Sequence, residues 1–555
     1  MGKINGGALF GRALANEGIE KAFVLTGGHV MPIFYGMRAA GIEIIDMRHE
    51  CAAMYAANTY ALATGKPAVV VTTAGPGVIN TTAGMVTARE TGIPVIHIGG
   101  AVVAAARDTG EMQDMSTLKL MESCAKWAAK VTVASRIPEY ITLALRHATD
   151  SAPGPVYLEV PMDIPLVEME ESEVIFPSKG RTDAIPFGDP AFVDAAAGLL
   201  AHAERPAVVI GDAARFSMGD YAADITSLSD YLKMPLCVAG SACRGLFGDE
   251  TVNPLLRRSH DGFAVTGKAD VVLALGCRFD WTIAQGKIAA AGAKVIQVHP
   301  DKSQIGFNLR ADIGISGGAG PVAHQLLAAI KSKRPEPVDV SPWVGELKTG
   351  IESLSDPHRA EGIPVHPGRC AGEVGKFLAG EGRDWNVSID GGDASFWISN
   401  TAPARRPGQI FGEGQNIGMI GTGPANAIGA WVANRKPVLW YTGDGSFGFY
   451  AMELDTMARL GMQVVCVISN DSGWGLIRMG EEMYHAKEVE ENGHCNVELE
   501  HMRAYEKMAL MWGGHGERVT DPEEILPAIQ RAVANGKPSI INVEVDQRFG
   551  VFKQS

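Results

Sequence analysis

Runs of consecutive apolar residues recur along the whole chain, each closing on glycine or an acid and each followed by an alanine-rich stretch of helical spacing. "KAFVLTGGH", "PAVVVTTAGPG", "PVIHIGG" and "GPVYLEVPMD" are the runs of the first part. A strand with one wet face alternates apolar and polar residues, whereas one buried on both faces is apolar throughout. The pattern therefore predicts parallel sheets covered by helices. A second set follows in "PAVVIGD", "PLCVAG", "ADVVLALGCRFD" and "AKVIQVHPD", and a third in "WNVSIDGGD", "PVLWYTGDGS", "QVVCVISND" and "PSIINVEV". Two polar, proline-bearing stretches, one near residues 166–190 and "KSKRPEPVDVSP", separate the sets and read as linkers. The expected fold is α/β, with three doubly wound parallel-sheet domains over residues 1–175, 186–335 and 360–555. At 555 residues the chain is long enough for three such cores.

Composition narrows the function classes. Apolar residues make up 46% and charged residues 20%, an ordinary globular balance. A net charge of -14 with no basic block argues against a nucleic-acid partner. Eight scattered cysteines without a CxxC pair fit a reducing compartment and disfavour a structural zinc site. The opening "MGKINGGALFGRALANEG" has helical spacing instead of a secretory leader, and no run of 18 apolar residues occurs. A cytoplasmic protein without a membrane partner is expected.

Two strand ends carry candidate chemistry. "KPVLWYTGDGS" places Asp444 at the carboxyl end of one strand, and "MQVVCVISND" places Asp471 at the end of the next. In open α/β sheets ligands sit beyond the carboxyl ends of neighbouring strands, so these two carboxylates can meet at one cation. Magnesium commonly takes one or two carboxylates together with phosphate oxygens. Gly443 and Gly445 would let the backbone approach a phosphate, and Ser446 is expected to open the following helix, whose N-terminus favours an anion. A lone "GDG" is usually only a turn. The pair of closing acids points to a magnesium diphosphate site.

The aspartate of "GDGS", followed 27 positions later by "ND", resembles the thiamine diphosphate signature. Residues 47–84, "MRHECAAMYAANTYALATGKPAVVVTTAGPGVINTTAG", are similar to the pyrimidine-domain signature of the acetolactate synthase superfamily, and residues 414–430, "GQNIGMIGTGPANAIGA", to its segment beneath the cofactor. The resemblance spans nearly the whole chain and implies pyrimidine-binding, central and diphosphate-binding domains. It implies that Glu50 shares a proton with the cofactor's pyrimidine ring, that Ile420 props the cofactor into a bent shape, and that Gly418 offers its carbonyl to the amino group. Gly75, Gly392, Ser395, Gly443, Gly445 and Ser446 are the remaining cofactor-binding residues it implies. The metal ligands would be Asp444, Asp471 and the Gly473 carbonyl, with Asp471 standing where most relatives carry asparagine. The family holds its cofactor between two subunits, so a homodimer at least, and a homotetramer by likeness, is implied. Whether FAD or a nucleotide occupies the central domain stays open.

Within the superfamily the motifs resemble benzaldehyde lyase and 2-hydroxyacyl-CoA lyase. "FVLTGGHVMPIF" puts His29 after Gly28, "GEMQDM" puts Gln113 on a loop facing the cofactor, and "SGWG" adds Trp474. The resemblance makes His29 and Gln113 catalytic companions of Glu50, and Gly28, Met162, Trp474 and Leu476 the substrate pocket. No His-His pair occurs, which argues against a simple 2-oxoacid decarboxylase. Met162 and Leu476 depart from the benzaldehyde lyase pattern, and Leu476 would narrow the pocket. "ADVVLALGCRFDWTIAQGK" resembles 2-hydroxyacyl-CoA lyases and oxalyl-CoA decarboxylases, but the chain shows no long tail to cover a CoA ester, and "EEMYHAKEVEEN" is acidic where CoA phosphates favour cations. The expectation is a thiamine diphosphate-dependent lyase or carboligase acting on aldehydes, 2-hydroxy ketones or 2-oxoacids. A 2-hydroxyacyl-CoA lyase or oxalyl-CoA decarboxylase-like enzyme, an acetolactate synthase and a non-catalytic cofactor-binding paralogue are the alternatives.

Overall fold

The computed structural model describes residues 2–552 apart from 179, 251–255, 259–265, 288, 337–339, 353–356 and 413–416. By its internal contacts the chain divides into two units, Met1–Pro186 and Phe187–Ser555.

The first unit holds a six-stranded parallel sheet in the order Glu43–Asp46, Lys21–Val24, Ala68–Thr72, Val95–Ala101, Val156–Pro161 and Trp127–Lys130. Its central strands are the apolar runs of the sequence, and Val69, Val70, Val71, Ile96, Ile98, Val156 and Leu158 are fully buried. Helices cover the sheet, so each such side chain leaves water for roughly 1.5–3 kcal/mol. The chain leaves strand Lys21–Val24 in one direction and returns to Ala68–Thr72 on its other side. Order therefore reverses between these two strands, which is where doubly wound sheets open a crevice.

One element departs from expectation. Glu168–Glu170, inside the stretch read as a linker, is a strand paired antiparallel with Lys3–Asn5. Met169, Val174 and Phe176 pack against the core of the first unit, so the linker reading fails for these residues. The acids of "EMEESE" hide the few apolar positions that dock.

The second unit contains two further six-stranded parallel sheets. One runs Leu256–Arg258, Leu236–Val238, Pro206–Ile210, Val271–Leu275, Lys294–His299 and Ile313–Ser316. The other runs Ile410–Phe411, Asn386–Ile389, Val438–Gly443, Val464–Asn470, Ser539–Glu544 and Gly516–Val519. The same reversal occurs in the last sheet, between Asn386–Ile389 and Val438–Gly443. Three doubly wound parallel sheets are thus the architecture. Among the described residues no helix is long and apolar enough to cross a membrane.

Candidate active site

In the first unit the loops at the carboxyl edge of the sheet converge. His29 sits in the short turn Gly28–Val30, and its Nδ1 lies 3.2 Å from the Thr73 hydroxyl, which follows strand Ala68–Thr72. Gly100 makes room for it, because a Cβ there would stand 2.8 Å from the His29 Cβ. Burial lowers the His29 pKa, against an opposing pull from Glu111, so the ring is neutral at pH 7. Glu50 opens the helix Glu50–Thr64, is only 8% exposed, and accepts a hydrogen bond of 3.0 Å from Asn80 Nδ2. Gly77 lies between these groups, its missing Cβ position 2.7 Å from the Thr73 methyl and 3.6 Å from Glu50 Oε1. Gly75 has φ +55° and ψ -113°, a conformation that needs glycine, and packs on Gln113. Gln113 itself is left-handed, with φ 68°, and its buried Oε1 has no hydrogen-bond partner among the described residues. Met162 stands at the same edge, its backbone N–H on the Ala101 carbonyl.

The second unit carries a cavity of about 240 Å³ at the crevice of its last sheet. Gly392, Gly418, Ile420, Gly443, Asp444, Gly445, Ser446, Asp471, Gly473, Trp474 and Leu476 all line it. Register explains the meeting of the two acids, since Gly443 pairs with Ser469 on neighbouring strands and each aspartate follows within two residues. Asp444 is 2% exposed, and its Oδ1 has no hydrogen-bond partner among the described residues. Burial raises its pKa and Asp471 opposite raises it further. Asp471 is also raised by burial, with Arg478 pulling it down. Gly418 has φ 68°, in the left-handed region that favours glycine. A Cβ at Gly445 would lie 2.8 Å from the Trp474 ring, so the indole lies close over that loop. Leu476 packs on Gly392, where a Cβ would stand 3.1 Å away.

One expectation needs correction. Ser446 does not open its helix: Gly443 caps Asp444–Phe447 and Asp444 is the first residue, because the carboxylate follows the strand directly. Ser395 is not among the residues that line the cavity, and its hydroxyl donates at 2.7 Å to the carbonyl of Gly392, the N-cap of its helix. Residues 413–416, the start of the segment expected beneath the cofactor, lie outside the described residues. Other residues escaped the sequence reading. Asp390, fully buried, accepts from the backbone N–H groups of Gly391, Gly421 and Gly423 at 2.7, 2.8 and 2.9 Å. It fastens the loop that carries Gly418 and Ile420, and burial pushes its pKa up to about 6 against those bonds. Thr73 and Asn80, which hold His29 and Glu50, were equally silent, since their type alone suggests nothing.

Family models place the chain. That for the N-terminal TPP binding domain of thiamine pyrophosphate enzymes matches residues 4–121, that for the central domain residues 193–326, and that for the C-terminal TPP binding domain residues 390–543. The chain belongs to the thiamine pyrophosphate enzymes. It is 30% identical to a probable acetolactate synthase of Mycobacterium bovis, over 98% of this chain and 96% of that one. It is 27% identical to 2-hydroxyacyl-CoA lyase 2 of Danio rerio, over 97% and 91%. It is 26% identical to oxalyl-CoA decarboxylase of Escherichia coli strain K12, over 97% and 94%. For a thiamine pyrophosphate enzyme the residues present fit the cofactor. Two buried carboxylates, both with pKa values raised by burial, are oxygen ligands suited to a hard cation, and the glycines around them leave backbone open to a diphosphate. Among the described residues no three His, Cys, Asp or Glu side chains converge, so such a cation would draw its other ligands from backbone and phosphate.

Proposed function

We propose that this thiamine diphosphate-dependent enzyme is a lyase and carboligase that makes or cleaves the carbon–carbon bond of 2-hydroxy ketones, with small aldehydes as partners. His29 carries the reading. With Nδ1 on Thr73, its Nε2 is the ring nitrogen left for substrate, and a neutral imidazole both gives and takes a proton near pH 7. Reversible ligation needs that at the hydroxyl beside the bond being broken. Bound thiamine diphosphate supplies the electron sink for that bond. Glu50, whose Oε2 accepts from Asn80, would share a proton with the cofactor's pyrimidine ring through its other oxygen. Gln113 would use its Oε1, which has no partner among the described residues, to orient the substrate hydroxyl. Asp444, Asp471 and the Gly473 carbonyl would hold Mg²⁺ against the diphosphate, and the Gly418 carbonyl and Ile420 would set the cofactor's shape. Gly28, Met162, Trp474 and Leu476 would bound the substrate pocket, with Leu476 over Gly392 favouring a small acceptor. We propose a homodimer or homotetramer working in the cytoplasm.

Acetolactate synthesis is the second reading, and the likeness to the Mycobacterium bovis protein over nearly the full length supports it. A CoA ester is less favoured, since the helix Ala486–Asn492, which follows the cavity residues along the chain, carries three acids and CoA phosphates favour cations. The test is a screen of 2-hydroxy ketones, 2-oxoacids and 2-hydroxyacyl-CoA esters with mass detection, in the presence of thiamine diphosphate and Mg²⁺. Cleavage of a 2-hydroxy ketone is the expected result. Turnover of pyruvate alone would replace the proposal with the second reading, and turnover of the CoA esters alone would refute both.

A further inference from the structure

Asp471 is held from its far side. Arg478 Nη1 lies 3.1 Å from Asp471 Oδ2, and the arginine is only 4% exposed. Its Nε and Nη2 each lie 3.2 Å from an oxygen of Glu498, whose side chain is 56% exposed. Gly473 provides the space: a Cβ there would stand 2.2 Å from Arg478 Nη2 and 2.6 Å from the Val497 carbonyl. Glu498 belongs to the same construction. Trp474 N–H donates to the Val497 carbonyl at 2.8 Å and Leu499 N–H to the Ser472 carbonyl at 2.9 Å, clipping this segment to the Asp471 loop.

Charge makes the arrangement consequential. Two carboxylates already cancel a divalent cation, so a diphosphate arriving there meets a site with no positive charge to spare. Buried charges interact strongly, whereas a water-exposed carboxylate such as Glu498 is screened. The guanidinium is therefore the positive charge that the diphosphate experiences, and its fork also fixes which way the Asp471 carboxylate turns. We infer that Arg478 is a positioning residue that offsets the Asp471 carboxylate, so that two acids and a diphosphate can share one cation. The inference rests on the proposal that Asp444 and Asp471 hold the cofactor's metal.

Charge removal and structural damage give opposite signatures. In full-length R478M, stripped of cofactor, Mn²⁺ alone should bind at least threefold more tightly by electron paramagnetic resonance, because a positive neighbour is gone. Thiamine diphosphate at saturating Mg²⁺ should bind at least tenfold more weakly by calorimetry. R478K, which keeps the charge, should stay within about fivefold of wild type for the cofactor. The double variant D471N/R478M, which removes both charges, should recover cofactor binding to within about threefold. Equal weakening of Mn²⁺ and cofactor in R478M, wild-type cofactor binding in R478M, or a double variant as weak as R478M would each overturn the inference. Should R478M not fold, the R478K and double-variant results decide alone. D444A is the control on the parent proposal: if it retains cofactor through dialysis with chelator, the metal site lies elsewhere. If D444A loses cofactor while R478M keeps it, only the role of Arg478 falls.

Discussion

His29 is neutral at pH 7 because burial disfavours its charged form, and Glu111 only partly offsets this. A base with a lowered pKa keeps working below pH 6.5, so the acid limb of kcat/KM for 2-hydroxy ketone cleavage should fall below that value. Glu111→Gln removes the opposing pull and should move the limb further down; a limb at or above pH 6.5 would count against His29. Glu50→Ala should slow exchange of the cofactor's thiazolium C2 proton by about a hundredfold or more, followed by NMR, with the fold intact. Unchanged exchange would remove Glu50 from the chemistry. At the pocket, Leu476→Ala should raise kcat/KM for bulky aldehyde acceptors by roughly tenfold or more relative to acetaldehyde, in line with about 1–3 kcal/mol for a single methylene. An unaltered ratio would mean that Leu476 does not border the acceptor.

At the scale of elements, strand Val95–Ala101 carries a buried titratable group behind the site. His97 is fully buried, with Nε2 2.9 Å from the Thr72 hydroxyl and Nδ1 3.4 Å from that of Thr81. Burial lowers its pKa from 6.5 to about 3. A depressed folded pKa contributes stability that is fully present above pH 6.5 and is lost as pH falls toward 3, at most roughly 4–5 kcal/mol in all. Urea midpoints of the wild type should drop between pH 6.5 and 4, and His97→Gln should flatten that slope. A parallel decline in both proteins would place the titration elsewhere. The strands were legible in the sequence because burial on both faces makes them apolar throughout. Asp444 and Asp471 were legible because each closes such a run and parallel register brings the ends together. Arg478, Asp390 and Thr73 were not, since their roles depend on which loop folds over which, and spacing along the chain carries no trace of that. The ribbon strand Glu168–Glu170 was hidden for another reason: it lies on an edge, and its charged residues read as linker.

At the scale of the whole molecule, three parallel sheets were expected and three are present, each with the carboxyl ends of its strands along one edge because parallel strands run the same way. The chain ends of the first unit have a further consequence. Lys3–Asn5 and Glu168–Glu170 lie side by side, and Glu171 N–H reaches the Gly2 carbonyl at 3.2 Å. That makes the first unit a ring closed by main-chain bonds instead of an open string. A ring has no privileged starting point, so its two ends can be spliced by a short glycine linker and new termini cut in an exposed loop, such as the one around Gly110. The excised, permuted unit of residues 2–176 should then fold with a melting temperature within about 5 °C of its unpermuted counterpart, measured by circular dichroism. A permutant that fails to fold beside a folded parent would show that the order of synthesis matters here as well as the closure of the ring.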